Sequence, residues 1–359
     1  MDINGRRRSS NIEDRRGMTQ QGMGRNGGSS GFVGTYLLFN LVRVLMATKL
    51  GRRILIVILV LMGIFYFSPL RSHISPSGET PRITMAERYS HSGDNSGVGS
   101  AVDDSVEKNI PSRADNQGGN QLDGRLAKAS EDELADFLSV VLAELEDTWK
   151  EIFRAEGMQY REPTLVFYND YVSSACGNSS SSTGPFYCSA DEKVYIDLSF
   201  FRELSARYGA SGDFAAAYVL AHEVGHHVQN LLGVLGQSHQ LRRQLDEKQA
   251  NEISVRVELQ ADYFAGVWAH HAEQAEILNV NDIDEAIEAA QAIGDDRLQK
   301  QSYGRVVPDS FTHGTSKQRA YWFKQGYLQG TIMFGDNLFS LPYEQLSIPY
   351  TLCPALKAA

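Results

Sequence analysis

The run Asp213–Gly233, DFAAAYVLAHEVGHHVQNLLG, decides how the rest of the chain is read. It reads as one helix over Phe214–Leu232, with Asp213 as a candidate N-cap and Gly233 as a natural stop. Ala215, Ala216 and Ala217 give that helix a small-residue surface that can lie close to neighbours. Inside it, His222 and His226 stand four residues apart, so both imidazoles leave the same face. His227 lies about 100° around from His226 and reads as a packing or surface residue.

Two imidazoles on one face suit Zn²⁺, which takes histidine nitrogen at roughly 2.0–2.1 Å in tetrahedral geometry. Glu223 follows the first histidine, where a carboxylate can reach a water at the ion and act as general base. A catalytic zinc needs a third protein ligand, and the next strong helix, read over Asn251–Ala272, offers Glu258-Leu259-Gln260-Ala261-Asp262. Glu258 can coordinate the ion while Asp262, four residues on, accepts the outer N–H of a ligating histidine and fixes its tautomer. Two solvated acids on an amphipathic helix would be the plainer reading. Tyr263, Phe264, Val267 and Trp268 crowd the same stretch, however, and a buried carboxylate needs a partner. Tyr263 reads either as core or as a donor to an oxyanion.

H-E-x-x-H followed by E-x-x-A-D resembles the gluzincin group, which includes thermolysin-like and membrane-anchored zinc peptidases. The chain is more closely similar to the bacterial family of neutral zinc metallopeptidases, through GPFYC (Gly184–Cys188), KVYIDLSFF (Lys193–Phe201), AHEVGHHVQ (Ala221–Gln229), ELQADYFAG (Glu258–Gly266) and PDSFTHGTSKQR (Pro308–Arg319). That resemblance implies a zincin-like peptidase, an endopeptidase acting on protein or peptide, with Zn²⁺ as cofactor. It also implies that His313 hydrogen-bonds a tetrahedral oxyanion and that Arg319 orients a carboxylate. Read without it, Thr315-Ser316-Lys317-Gln318 is a T-x-x-Q capping box, flanked by a loop histidine and a surface arginine. A non-catalytic zinc-binding, membrane-anchored scaffold is the rival function. It differs in one respect: Glu223 would be dispensable.

Outward from this core the chain divides into four. Residues 1–49 form a basic segment, read as cytoplasmic; 1–31 are Arg-, Gly- and Ser-rich, without apolar periodicity, and read as disordered. Phe32–Met46 is apolar but interrupted by Asn40 and Arg43, and reads as an interfacial helix, with a second span as the alternative. Residues 50–70 are read as a signal anchor around the charge-free run Ile54–Phe67, ILIVILVLMGIFYF, which follows Lys49, Arg52 and Arg53. Positive charge before that run places the N-terminus in the cytoplasm of a bacterial cell and the remainder outside, on a single-pass protein of the inner membrane. Residues 71–129, rich in Ser, Gly, Asn and Asp, read as a flexible linker.

The domain, 130–359, opens with the S-x-x-E capping box Ser130–Glu133 and an apolar stripe Leu134, Phe137, Leu138, Val141, Leu142 and Leu145. Thr164–Tyr168 and Val194–Leu198 read as strands. The expectation is α+β, helix-rich, with a small sheet early.

Charge narrows the partners. The net charge is −10, yet residues 1–53 carry ten Lys/Arg against three acids, so the rest is strongly acidic. That balance argues against a nucleic-acid interface on the domain, which would need clustered cations. Cys176 and Cys188 bracket a short Ser/Gly loop and are expected to join outside the cytoplasm, or to stay reduced within it. Such a closure stabilises by about 3 kcal/mol in the chain-entropy model. Cys353 has no evident partner.

Overall fold

The computed structural model describes residues 1–18, 129–210, 212–279 and 281–346. The expected anchor, most of the expected linker and Cys353 lie outside the described residues, among which no helix is long and apolar enough to cross a membrane. The elements are β1 (Ile12–Asp14), α1 (Glu131–Ala155), β2 (Thr164–Tyr168), β3 (Tyr171–Ser174), β4 (Gly177–Ser180), β5 (Phe186–Cys188) and β6 (Lys193–Asp197). Then come α2 (Ser199–Tyr208), α3 (Asp213–Leu231), α4 (Val234–Arg242), α5 (Glu247–Gln274), α6 (Asp282–Ala292), α7 (Asp295–Tyr303), α8 (Ser316–Gln329) and the short α9 (Asn337–Ser340). The architecture is α+β, helix-rich, with small sheets near the start of the domain.

One sheet runs β1-β2-β6-β5, with β1–β2 and β2–β6 parallel and β5–β6 antiparallel; β3 and β4 form a separate hairpin. Parallel strands are buried on both faces and therefore read as continuous apolar runs rather than alternations. Leu165 and Phe167 of β2 point into the main core, while Val166 and Tyr168 join a smaller cluster with Val172, Cys188 and Tyr195. α1 begins at the capping box, where Ser130 accepts the Glu133 amide and Glu133 reaches back. Its apolar stripe packs Trp149 edge-on against Phe264 of α5.

At the centre lies α3, buried along most of its length. Asp213 is its first helical residue and not its cap. Gly212 takes that position, and the Phe214 amide is satisfied by Glu285 of α6. α5 starts at Glu247, four residues before the expected Asn251, because Asp246 caps it through the Gln249 amide. α5 and α8 nearly touch along their backbones. A Cβ on Gly326 would lie 1.9 Å from the Tyr263 carbonyl oxygen, and one on Gly266 2.0 Å from that of Phe323, so only glycine fits the crossing.

A further expectation does not hold. Residues 1–17, read as part of a disordered tail, pack on the domain. β1 pairs with β2 in the register Ile12↔Leu165, Glu13↔Val166 and Asp14↔Phe167. Met1 enters the main core and Ile3 and Ile12 pack against it, while arginine–carboxylate pairs tie the segment to α1, including Arg7 with Glu146 and Arg8 with Asp136.

Candidate metal centre

α3 and α5 pack side by side, with Gly225, which stands between His222 and His226, facing the backbone of Ala261. This approach brings Glu258 to both imidazoles: its Oε2 lies 3.2 Å from His222 Nε2 and its Oε1 3.6 Å from His226 Nε2. One ligand atom from each of the three residues falls within 4.8 Å of the others.

The outer nitrogens fix the tautomers. His222 Nδ1 is 2.7 Å from Asp262 Oδ1, and a carboxylate only accepts, so the N–H is on Nδ1. His226 Nδ1 is 2.8 Å from Gln229 Oε1. The Gln229 amide is oriented by its nitrogen donating to the Val257 carbonyl at 2.7 Å and to Gln260 Oε1 at 3.0 Å, so here too Nδ1 carries the proton. Whichever cation they hold, a proton or a metal ion, both Nε2 atoms face the Glu258 carboxylate. These three groups in a largely buried site need positive charge between them, which protons on the two Nε2 atoms or one metal ion in their place can supply. The donor set, two neutral imidazole nitrogens and one carboxylate, fits zinc.

Electrostatics favour positive charge at the same point. Burial pushes His222 down, but Asp262 and then Glu258 outweigh it, and its pKa is raised to about 9. His226 is likewise lowered by burial and raised on balance by Glu258. Glu258 is held well below the usual carboxylate range, where the histidines overcome its burial. Asp262, fully buried, is lowered to about 2 because Arg319 and His222 offset its desolvation. Arg319 grips it with two bonds, Nε to Oδ2 at 2.8 Å and Nη2 to Oδ1 at 2.9 Å. The Tyr218 hydroxyl also donates to Asp262 Oδ1, at 2.5 Å.

Glu223 lines the same cavity, of about 520 Å³, with its pKa raised by burial. Phe186, Tyr187, Phe200 and Leu235 form much of the cavity's apolar wall. His313 stands at the rim, half exposed, outside the His222–His226–Glu258 cluster. Its Nδ1 lies 3.2 Å from Asp295 Oδ1. Asp295 also gathers the loop, its Oδ2 accepting the Thr312 and His313 amides at 2.7 Å each. Sequence reading missed Asp295, whose only local mark is an acid opening a short helix. Tyr263 is core: its hydroxyl donates to the Thr331 carbonyl.

His227 is buried, not at the surface. Its Nε2–H donates to the Arg161 carbonyl at 2.6 Å, which leaves Nδ1 to accept the Tyr187 hydroxyl at 3.0 Å. Cys176 and Cys188 are joined as a disulfide, closing the loop that carries Phe186 and Tyr187 to the cavity.

Fold and site together define a helix-rich α+β protein in which an H-E-x-x-H helix and a glutamate from the next long helix form a cluster that could hold a metal ion. The chain belongs to the family described as putative neutral zinc metallopeptidases, which matches residues 96–338. It is 54% identical over 210 residues to the uncharacterized protein YpfJ of Escherichia coli K12, covering 58% of this chain and 73% of that one. It is 46% identical over 182 residues to the uncharacterized protein Rv2575 of Mycobacterium tuberculosis H37Rv, covering 48% of this chain and 60% of the relative. No solved structure matches the chain.

Proposed function

We propose that this chain is a zinc-dependent endopeptidase of zincin-like fold, acting on protein or peptide substrates outside the bacterial cytoplasm. The carrying observation is the convergence of His222, His226 and Glu258, in metal-binding tautomers, on a cavity that Glu223 also lines. Bound by those three residues, Zn²⁺ supplies a Lewis acid that polarises a carbonyl and acidifies water.

The chain's own groups do the rest. Glu223 accepts a proton from the attacking water and delivers it to the leaving amine nitrogen, a role that its raised pKa suits. Asp262 keeps His222 in the tautomer that presents Nε2, and Gln229 does the same for His226. His313, with Asp295 behind it, offers a cationic donor at the rim for the oxygen that gains charge. The extracytoplasmic placement is supported by the Cys176–Cys188 disulfide, which persists in oxidising compartments.

Glu223→Gln separates enzyme from scaffold, since it keeps size and removes basicity. It should hold about one zinc per chain and lose activity on unfolded protein by roughly 10²–10⁴-fold. Equal cleavage by both proteins removes Glu223 from the mechanism. Zinc in both with cleavage by neither favours a non-catalytic zinc-binding scaffold.

A further inference from the structure

The surface made by α1 and the edge of β2 is occupied by the chain's own first seventeen residues. The docking is built into the core. Glu146 falls in the apolar stripe of α1 and its side chain is only 1% exposed. The side chains that satisfy it come from the N-terminal segment: Arg7 Nη2 to Oε2 at 3.1 Å, Asn11 Nδ2 to Oε1 at 2.9 Å, and the Ser9 hydroxyl on Oε1. A buried carboxylate stripped of such partners is strongly unfavourable.

Backbone pairing fixes the segment's register independently. The Leu165 amide donates to the Asn11 carbonyl at 2.9 Å, the Arg15 amide to the Phe167 carbonyl at 2.8 Å, and the Ser9 amide to the Ser139 carbonyl at 2.9 Å. Lys193 of β6 reaches across to Glu13 as well. With β1 absent, β2 would present a bare edge, although its side chains are buried on both faces.

A ladder of hydrogen bonds acts over about 3 Å, whereas the hydrocarbon core of a bilayer is about 30 Å thick. We infer that the N-terminal segment and the metal-binding domain occupy the same side of the membrane, so that residues 18–129 cross it an even number of times or not at all. The two apolar runs, Phe32–Met46 and Ile54–Phe67, then share one fate: both cross or neither does. A single-pass anchor with a cytoplasmic N-terminus and an external domain is incompatible with this packing.

The test uses the full-length chain in bacterial cells. A site-specific protease sequence is inserted after Met18 in one variant and after the exposed Gly304 in another, and spheroplasts are treated before and after lysis. Both sites should behave alike, either cut in intact spheroplasts or protected until lysis. Cleavage of one site only in intact spheroplasts overturns the inference. The docking is read separately by zero-length carbodiimide cross-linking of the purified full-length protein. Mass mapping should recover a Glu13–Lys193 amide alongside the Lys150–Glu162 amide within the domain. Recovery of the second without the first overturns the docking.

Discussion

Gly225 faces the backbone of Ala261 so closely that a Cβ there would lie 2.8 Å from the carbonyl oxygen and 3.1 Å from Cα. The glycine stands between the two histidines of α3, and Ala261 between Glu258 and Asp262 of α5. The contact therefore sets the distance over which Glu258 reaches both imidazoles. In an isolated helix Gly→Ala gains about 1 kcal/mol. Here the added methyl must push two buried helices apart, and overpacking of this kind costs typically 1–3 kcal/mol. Gly225→Ala should bind zinc about tenfold more weakly or worse, each 1.4 kcal/mol being a factor of ten. Competition with a chelating dye measures this. A variant with unchanged zinc affinity and a higher Tm would show that the helix spacing does not govern the site.

Around the ion the ranking of losses should follow the bonding. Glu258→Ala removes a charged donor and should reduce zinc content to near background after dialysis against a weak chelator. Asp262→Asn keeps the shape but sets an amide N–H against Arg319 or His222. Affinity should fall by roughly 10–100-fold, as losses behind a ligand usually do. Its Tm should drop too, because Arg319 is buried with Asp262 as its ion-pair partner. Equal zinc affinity in Asp262→Asn and the parent chain would break the argument that this carboxylate sets the His222 tautomer.

What the sequence makes legible here is local. His222, His226, Glu258 and Asp262 are separated by single helical turns within two helices, and both capping boxes are patterns of four residues. Periodicity and cap chemistry suffice for these. The missed features depend on contacts that no short window contains. Tyr187 meets His227 across forty positions, and Asn230 also donates to the Tyr187 hydroxyl. Neither polar pair leaves a spacing signal. The N-terminal segment reads as disordered because low apolar content usually means disorder, whereas in the structure its few apolar residues reach the core and its arginines meet carboxylates on α1. One mark was available: Glu146 continues the stripe Leu138, Val141, Leu142 and Leu145. An acid in a buried stripe calls for a cation from elsewhere in the chain.

The last prediction concerns pH. His313 has its pKa raised, first by the hydrogen bond to Asp295, against the opposing effect of partial burial. Asp295 is lowered in turn, its burial outweighed by bonds to the His313 side chain and backbone. A raised histidine pKa keeps the cationic form at pH values where an ordinary imidazole, near 6.5, has lost its proton. If the cation serves the developing oxyanion, activity holds up to that raised pKa and falls as pH climbs through it. Asp295→Asn removes the charge while keeping one oxygen for the loop amides. The alkaline limb of kcat/KM should therefore move toward lower pH, with the acid limb, assigned to Glu223, left in place. His313→Gln should abolish the histidine-dependent limb and lower kcat more than it raises KM, since the bond is made to charge that develops during reaction. An alkaline limb unmoved by Asp295→Asn, in a protein that still binds zinc, would assign it to another group and reduce His313 to a rim residue.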